Sequence, residues 1–293
     1  MPELPEVETY VRELTPDLRN RVISGATVRW QRTVAAPTVA EFIMNVQGYR
    51  FTDFARRGKY MLFGLTKADA TETTDPLPQR QTLLVHLRMT GRLIAHAQPT
   101  APDKHTHVVF DLTDGGQVHF QDSRKFGRIW LVADPQVVLE DLGPEPLDGS
   151  FALDAFRETL QSRSATIKAL LLDQHIVAGV GNIYADESLH LAHIHPARTA
   201  NTLTGDEVAA LHQAIQRVLQ KAIAGHGSSL GTSGIQNYQR PGGEAGSFQE
   251  EHRVFQRTGQ PCITCGTVIE RIVITQRSTH FCPQCQPQSS TSS

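Results

Sequence analysis

The sequence predicts an α+β protein in two parts, a β-rich N-terminal half led by a helix and a helical C-terminal half closed by a small cysteine module. Three observations carry this. Apolar residues switch from strand-like to helical spacing part-way along the chain, a proline- and glycine-rich stretch lies at the switch, and all four cysteines fall in the last 32 residues. A length of 293 residues agrees, because a single core usually stops growing near ~250 to 300.

The leading helix is expected around Pro5, which suits a first helical position, with Val7, Tyr10, Val11 and Leu14 at helical intervals behind it. Strands follow around Arg50 to Phe54, Tyr60 to Leu65, Thr82 to Leu87, His107 to Leu112, Val118 to Phe120 and Ile129 to Val132. These short segments, rich in β-branched or aromatic residues and punctuated by Gly or Asp-Gly, read as a sandwich or a barrel. Between two of them Lys67 to Gln81, polar with two prolines, reads as a solvent-exposed insertion. Residues 1–135 thus form one domain, and 136–150 the linker, within a stretch (Asp134 to Ser150) holding three prolines and two glycines. Helices are expected over Phe151 to Leu160, Ala165 to Leu172, Asn182 to Leu191 and Asp206 to Ala224, with Ser164 and Thr204 as caps. The helical domain runs over 151–250, ending in a Gly/Ser-rich stretch at 225–246 that is flexible by composition. Residues 251–286 form the cysteine module, and 287–293 a disordered tail.

A net charge of −2 and a pI near 6.7 argue against a protein that coats nucleic acid by bulk electrostatics. Local basic stretches remain. Arg50, Arg56, Arg57, Lys59 and Lys67 face only Asp53 in their segment, and Arg253, Arg257, Arg271 and Arg277 face only Glu270, so these are either solvated faces or seats for a polyanion. No apolar run reaches the ~18 residues a membrane span needs, and MPELPEVE lacks the basic and apolar pattern of an export signal. The expected setting is the cytoplasm, with no membrane partner. None of the thirteen histidines has a catalytic-metal spacing; His105 and His107 alternate on a strand, and His86 alone is placed near a candidate site.

Cys262-x-x-Cys265 and Cys282-x-x-Cys285, with sixteen residues between the pairs, read as a zinc ribbon in which four thiolates close a tetrahedron around one structural Zn2+. Val268 to Ile274 between them has hairpin character. Two disulfides are the alternative, and a cytoplasmic setting disfavours them. At the other terminus, removal of Met1 makes Pro2 a secondary amine with a reference pKa of about 8, able to form an iminium with an aldehyde carbon. Glu3 and Glu6 stand beside it as proton carriers. On pattern alone, the same Pro-Glu start reads more simply as a helix's first turn.

Seven motifs occur in order: MPELPEVE; RRGKY at Arg56 to Tyr60; HLRMTG at His86 to Gly91; DSRKFG at Asp122 to Gly127; LGPEPL at Leu142 to Leu147; GVGNIYADE at Gly179 to Glu187; and the closing ribbon with QRSTHFCPQCQ. Spread over nearly the whole chain, they resemble the bacterial formamidopyrimidine-DNA glycosylases, the Fpg or MutM family. The resemblance implies an N-terminal β-sandwich with a leading helix and a C-terminal helical helix-two-turn-helix domain with a zinc-ribbon finger. It further implies a monomeric base-excision repair enzyme acting on double-stranded DNA that holds oxidised bases or abasic sites. Such an enzyme flips out an oxidised purine, such as 8-oxoguanine or a formamidopyrimidine, and cleaves its glycosidic bond through a Schiff base at Pro2. It then nicks the strand by β,δ-elimination.

Carried onto matching positions, Pro2 is the nucleophile, Glu3 the general acid/base, and Glu6 an organiser of the amine and its waters. Lys59 contacts phosphate near the lesion and assists catalysis. Asn182, at a glycine-rich helix start that is a natural phosphate seat, joins Arg277 in holding the backbone. Met89, Arg124 and Phe126 fill the vacated stack, Arg124 reading the partner base, with His86 nearby. The metal ligands are Cys262, Cys265, Cys282 and Cys285. Three departures stand out: the insertion, a divergent lid at Ser228 to Gln249 that bears on the preferred lesion, and Lys125 where the family often has arginine. Rival readings are an endonuclease VIII-like enzyme for oxidised pyrimidines and an inactive damage-binding homologue. Leu4 with the Met89, Arg124 and Phe126 set disfavours the first, and intact Pro2, Glu3 and Lys59 the second.

Overall fold

The computed structural model describes residues 1–68, 79–231 and 238–288. Most of the expected insertion (69–78), the middle of the lid (232–237) and most of the tail (289–293) lie outside the described residues. The chain forms two compact units, one of Met1–Pro2, Glu6–Glu140 and Ser228–Gly246, the other of Glu3–Pro5, Asp141–Gly227 and Ser247–Ser293.

In the first unit, α1 (Leu4–Leu18) lays Val7, Tyr10, Val11, Leu14 and Leu18 into the core, the stripe its periodicity predicts. An antiparallel sheet holds β1 (Ile23–Val28), β7 (Thr106–Leu112), β8 (Gln117–Asp122) and β6 (Gly91–His96), in the order β1-β7-β8-β6. The second sheet has the order β2-β9-β5-β4-β3, from β2 (Val34–Ala36), β9 (Arg128–Val132), β5 (Arg80–His86), β4 (Tyr60–Lys67) and β3 (Tyr49–Arg57). Phe51, Phe63, Leu83 and Val85 of one sheet share a core with Val108, Phe110 and Phe120 of the other, which makes the unit a sandwich. Burying each of these side chains stabilises it by about 1.5–3 kcal/mol. Helix α2 (Val39–Asn45) adds Phe42, its ring 5.9 Å from that of Phe110.

All six expected strands are present, but β1, β2, β6 and α2 were not legible. Gly91 opens β6 and Gly25 interrupts β1, so neither shows a strand pattern until a partner supplies the register, as from Gly91↔Asp122 to His96↔Gln117. The stretch read as linker begins with a short helix, α3 (Gln136–Leu139).

The second unit holds α4 (Leu153–Gln161), α5 (Ile167–Leu172), α6 (Asn182–Leu191) and α7 (Gly205–Ala224). Thr204 caps α7 as expected, in a reciprocal box with Glu207. Ser164 does not cap; Thr166 takes that position before α5, without a side-chain bond. The strands β10 (Glu270–Ile274) and β11 (Arg277–Phe281) form a hairpin whose loop residues Thr275 (φ 47°) and Gln276 (φ 61°) are both left-handed, as a two-residue turn of this hand requires. Among the described residues no helix is long and apolar enough to cross a membrane.

Thr204→Ala removes the acceptor for the Glu207 N–H (3.2 Å) and is expected to cost about 1 kcal/mol in urea unfolding. An unchanged midpoint would show that the Arg198–Glu207 ion pair holds this helix start without the cap.

Candidate functional site

Glu3 is fixed by the start of α6. Its carboxylate, 3% exposed, accepts from the amides of Ile183 (3.0 Å) and Tyr184 (3.4 Å), at a helix end where the backbone dipole favours negative charge. The glycines of GVGN make this approach possible. A Cβ on Gly181 would lie 2.4 Å from Glu3 Cδ, and one on Gly179, already left-handed at φ +85°, would lie 2.7 Å from Leu4 Cβ. The Leu4 N–H donates to Gly179 O at 3.1 Å, completing the seat. The amides read from sequence as a place for phosphate thus hold a carboxylate of the chain itself. Asn182 Nδ2 donates to Ser278 O (2.9 Å), one residue beyond Arg277, which is exposed at the start of β11.

Pro2 is buried, whereas Met1 before it is exposed. Glu6, 1% exposed, accepts from the Ser228 N–H at 2.7 Å and so ties α1 to the returning segment 228–246. Lys59 lies buried in the two-residue turn between β3 and β4, where Gly58 (φ +55°) takes the conformation such a turn reserves for glycine. His86 stands near it at the end of β5. Its Nδ1 accepts from the Arg88 N–H at 3.0 Å, and its ring meets Tyr60 edge-on at 4.6 Å. Burial, then the charges of Arg88 and Lys59, push its pKa down to about 3, so the ring is neutral at pH 7.

Met89, Arg124 and Phe126 sit on two loops joined by a residue whose role the sequence did not reveal. The carboxylate of Asp122, 1% exposed, accepts at Oδ2 from the amides of Phe126 and Gly127 (both 2.7 Å). At Oδ1 it accepts from the Arg124 amide (3.1 Å) and the Thr90 hydroxyl (2.5 Å). Thr90 follows Met89, so one buried carboxylate sets both loops. Phe126 is 49% exposed, Arg124 lies over its ring at 4.9 Å, and Lys125 stacks its ammonium 4.2 Å over Trp30. A half-exposed aromatic ring held on a rigid turn suits insertion between bases.

The sulfurs of Cys262, Cys265, Cys282 and Cys285 all lie within 4.8 Å of one another, with 3.9 Å between Cys262 and Cys285 and 3.5 Å between Cys265 and Cys282. These separations are too long for disulfides and bracket the roughly 3.8 Å edge of a tetrahedron with ~2.3 Å metal–sulfur bonds. Thiolates in a closed set fit zinc. The module is held to α6 by two buried acids that sequence reading also missed. Asp186 accepts from Lys168 (2.5 Å) and from the His280 amide (2.9 Å), and Glu187 from the amides of Arg253, Val254 and Phe255 at 2.9 to 3.0 Å.

Three family descriptions match: residues 1–129 the formamidopyrimidine-DNA glycosylase N-terminal domain, 142–233 its H2TH domain, and 259–288 the zinc finger found in FPG and IleRS. The formamidopyrimidine-DNA glycosylase of Chloroflexus aggregans is 47% identical over 290 residues, 98% of each chain, and that of Desulfitobacterium hafniense is 44% identical over 98% of this chain and all of its own. Among solved structures, the complex of Lactococcus lactis Fpg with abasic-site DNA aligns with a TM-score of 0.84 at 35% identity, covering 97% of this chain and 99% of that one. The MutM (Fpg) protein of Thermus thermophilus aligns at 0.83 and 37%, covering 98% and 100%.

His86 gives a pH dependence with a definite sign. Its folded pKa lies below the unfolded value of about 6.5, so the unfolded chain binds the proton first, and stability is full above that value and declines as pH falls toward 3. The slope from one such group is at most about 1.4 kcal/mol per pH unit. His86→Gln should flatten the fall in melting temperature between pH 7 and 5; an identical slope would remove His86 from the cause.

Proposed function

Because the chain belongs to the formamidopyrimidine-DNA glycosylase family, we propose that it is a base-excision repair enzyme that removes oxidised purines from double-stranded DNA and then cleaves the strand as a lyase. The observation that carries this reading is the seating of Glu3. The carboxylate next in sequence to Pro2 is buried and fixed by two amides in a pocket only glycine at 181 permits. The first turn of α1 would need no such arrangement.

Once Met1 is removed, the Pro2 amine attacks the sugar's anomeric carbon. The N–C bond forms as the glycosidic bond breaks, its electron pair leaving with the base. Glu3 takes the proton from Pro2 and delivers it to the ring oxygen, opening the sugar to an iminium. That iminium acidifies the neighbouring carbon and lets the phosphates depart by β- and then δ-elimination. Lys59, Asn182 and Arg277 bind phosphates around the extruded nucleotide, and Met89 and Phe126 replace its stacking. The four cysteines hold one structural zinc; when bound, it fixes the hairpin that carries Arg277.

Borohydride reduction on duplex DNA containing 8-oxoguanine tests the nucleophile. The parent should become cross-linked, while Pro2→Gly and a chain blocked at its N-terminus should not. Glu3→Gln should bind but excise roughly 100- to 10,000-fold more slowly. Undiminished trapping by the blocked chain would sink the assignment.

Arg124 carries donors only, which favours a partner base rich in acceptors, such as cytosine, over adenine. Single-turnover excision should therefore be faster opposite cytosine. Arg124→Ala should narrow the ratio, and Asp122→Asn, which sets an amide N–H against the loop amides, should slow excision opposite both bases. An unchanged ratio in Arg124→Ala would place the reading of the partner base elsewhere.

A further inference from the structure

Helix α6 reaches the cysteine cluster through a residue that the chemistry above does not use. His190, in its last turn, is 1% exposed, and its Nε2 lies 3.6 Å from Cys262 Sγ, within reach of an N–H···S hydrogen bond. The other ring nitrogen, Nδ1, is buried without a hydrogen-bond partner among the described residues. Burying a polar atom without a partner carries an uncompensated desolvation cost, so an apolar ring would suit the position better if packing were its whole task. His190 is not a ligand: the group that meets the metal-site distances consists of the four cysteines.

We infer that His190 is an outer-shell partner of the metal centre, donating Nε2–H to the Cys262 thiolate. The inference rests on the zinc reading above. Four thiolates around a divalent ion leave two negative charges in excess, concentrated on sulfur. An N–H aimed at one sulfur draws off part of that charge and makes the thiolate a weaker nucleophile toward electrophiles that would strip it from the metal. Other ties hold the module to the segment just after α6 independently: Gln286 donates to Ile194 O (2.9 Å) and accepts from the Cys282 amide (3.0 Å). Substitution at 190 therefore changes the charge on the sulfur while the hairpin stays docked.

The test uses the full chain, His190→Phe, which keeps a ring without the donor, and His190→Gln, which keeps an N–H. Zinc content is measured first, then the rate at which N-ethylmaleimide releases zinc to a chromophoric chelator, and the sulfur-to-metal charge-transfer band of the cobalt-substituted proteins. His190→Phe should lose zinc roughly tenfold faster and shift the band to lower energy. His190→Gln should stay near the parent. One zinc per chain with equal release rates and equal bands in all three overturns the inference and leaves the zinc reading standing; no zinc in the parent overturns both. Imidazole nitrogen shifts in the parent must show Nε2 protonated, and the opposite tautomer overturns the inference however the variants fold.

Discussion

Helix α6 is buried along nearly its whole length, and it carries groups that burial would penalise severely if they were left alone. Asp186, Glu187, Ser188 and His190 are each 2% exposed or less. Removing a carboxylate from water costs several kcal/mol, so the rest of the second unit is arranged to deliver donors to this helix. Lys168 and β11 serve Asp186, and three successive amides serve Glu187 against the burial that raises its pKa. At the helix start the direction reverses, and its free amides are met by the carboxylate of Glu3.

Such pairs add little net stability, because desolvation cancels much of the attraction. What they supply is position. An apolar contact tolerates sliding by an ångström, whereas a carboxylate that must satisfy two or three amides at about 3 Å does not. The same device recurs in the sandwich, where Asp122 gathers the amides of one loop and the hydroxyl of another. Arg124 and Phe126, proposed to act on DNA, are thus mounted on a turn whose geometry is fixed by the buried acid beneath it.

This explains which parts of the protein were legible in its sequence. Periodicity exposed α6 and α7 because their apolar positions recur, and cysteine spacing exposed the ribbon because a tetrahedron permits few spacings. Motif resemblance points to Glu3, Arg124 and Phe126 as candidates. It did not show how they are held, since Asp122 reads as an ordinary acid before a turn, and the amides it gathers carry no side-chain signature. From sequence alone, Gly179 and Gly181 read as a loop that exposes amides. Their actual task, leaving room for Leu4 and Glu3, depends on a segment some 175 residues away in sequence. Strands β1 and β6 escaped for a related reason, their identity being conferred by the partner strand.

The buried acids also alter the meaning of the overall charge. A formal value of −2 argues against affinity for a polyanion only if the charges lie where the polyanion meets them. Glu3, Glu6, Asp122, Glu145, Asp186 and Glu187 are buried, against Lys59, Lys168 and Arg198 among the bases. Among the described residues, withdrawing six acids and three bases from the surface makes the formal charge left there more positive by three. Phosphate affinity then depends on where the exposed arginines cluster, and it should weaken with salt according to how many of them displace counterions. An acidic isoelectric point and a DNA-binding surface are compatible here because the acids work inside the fold, positioning the groups that the surface presents.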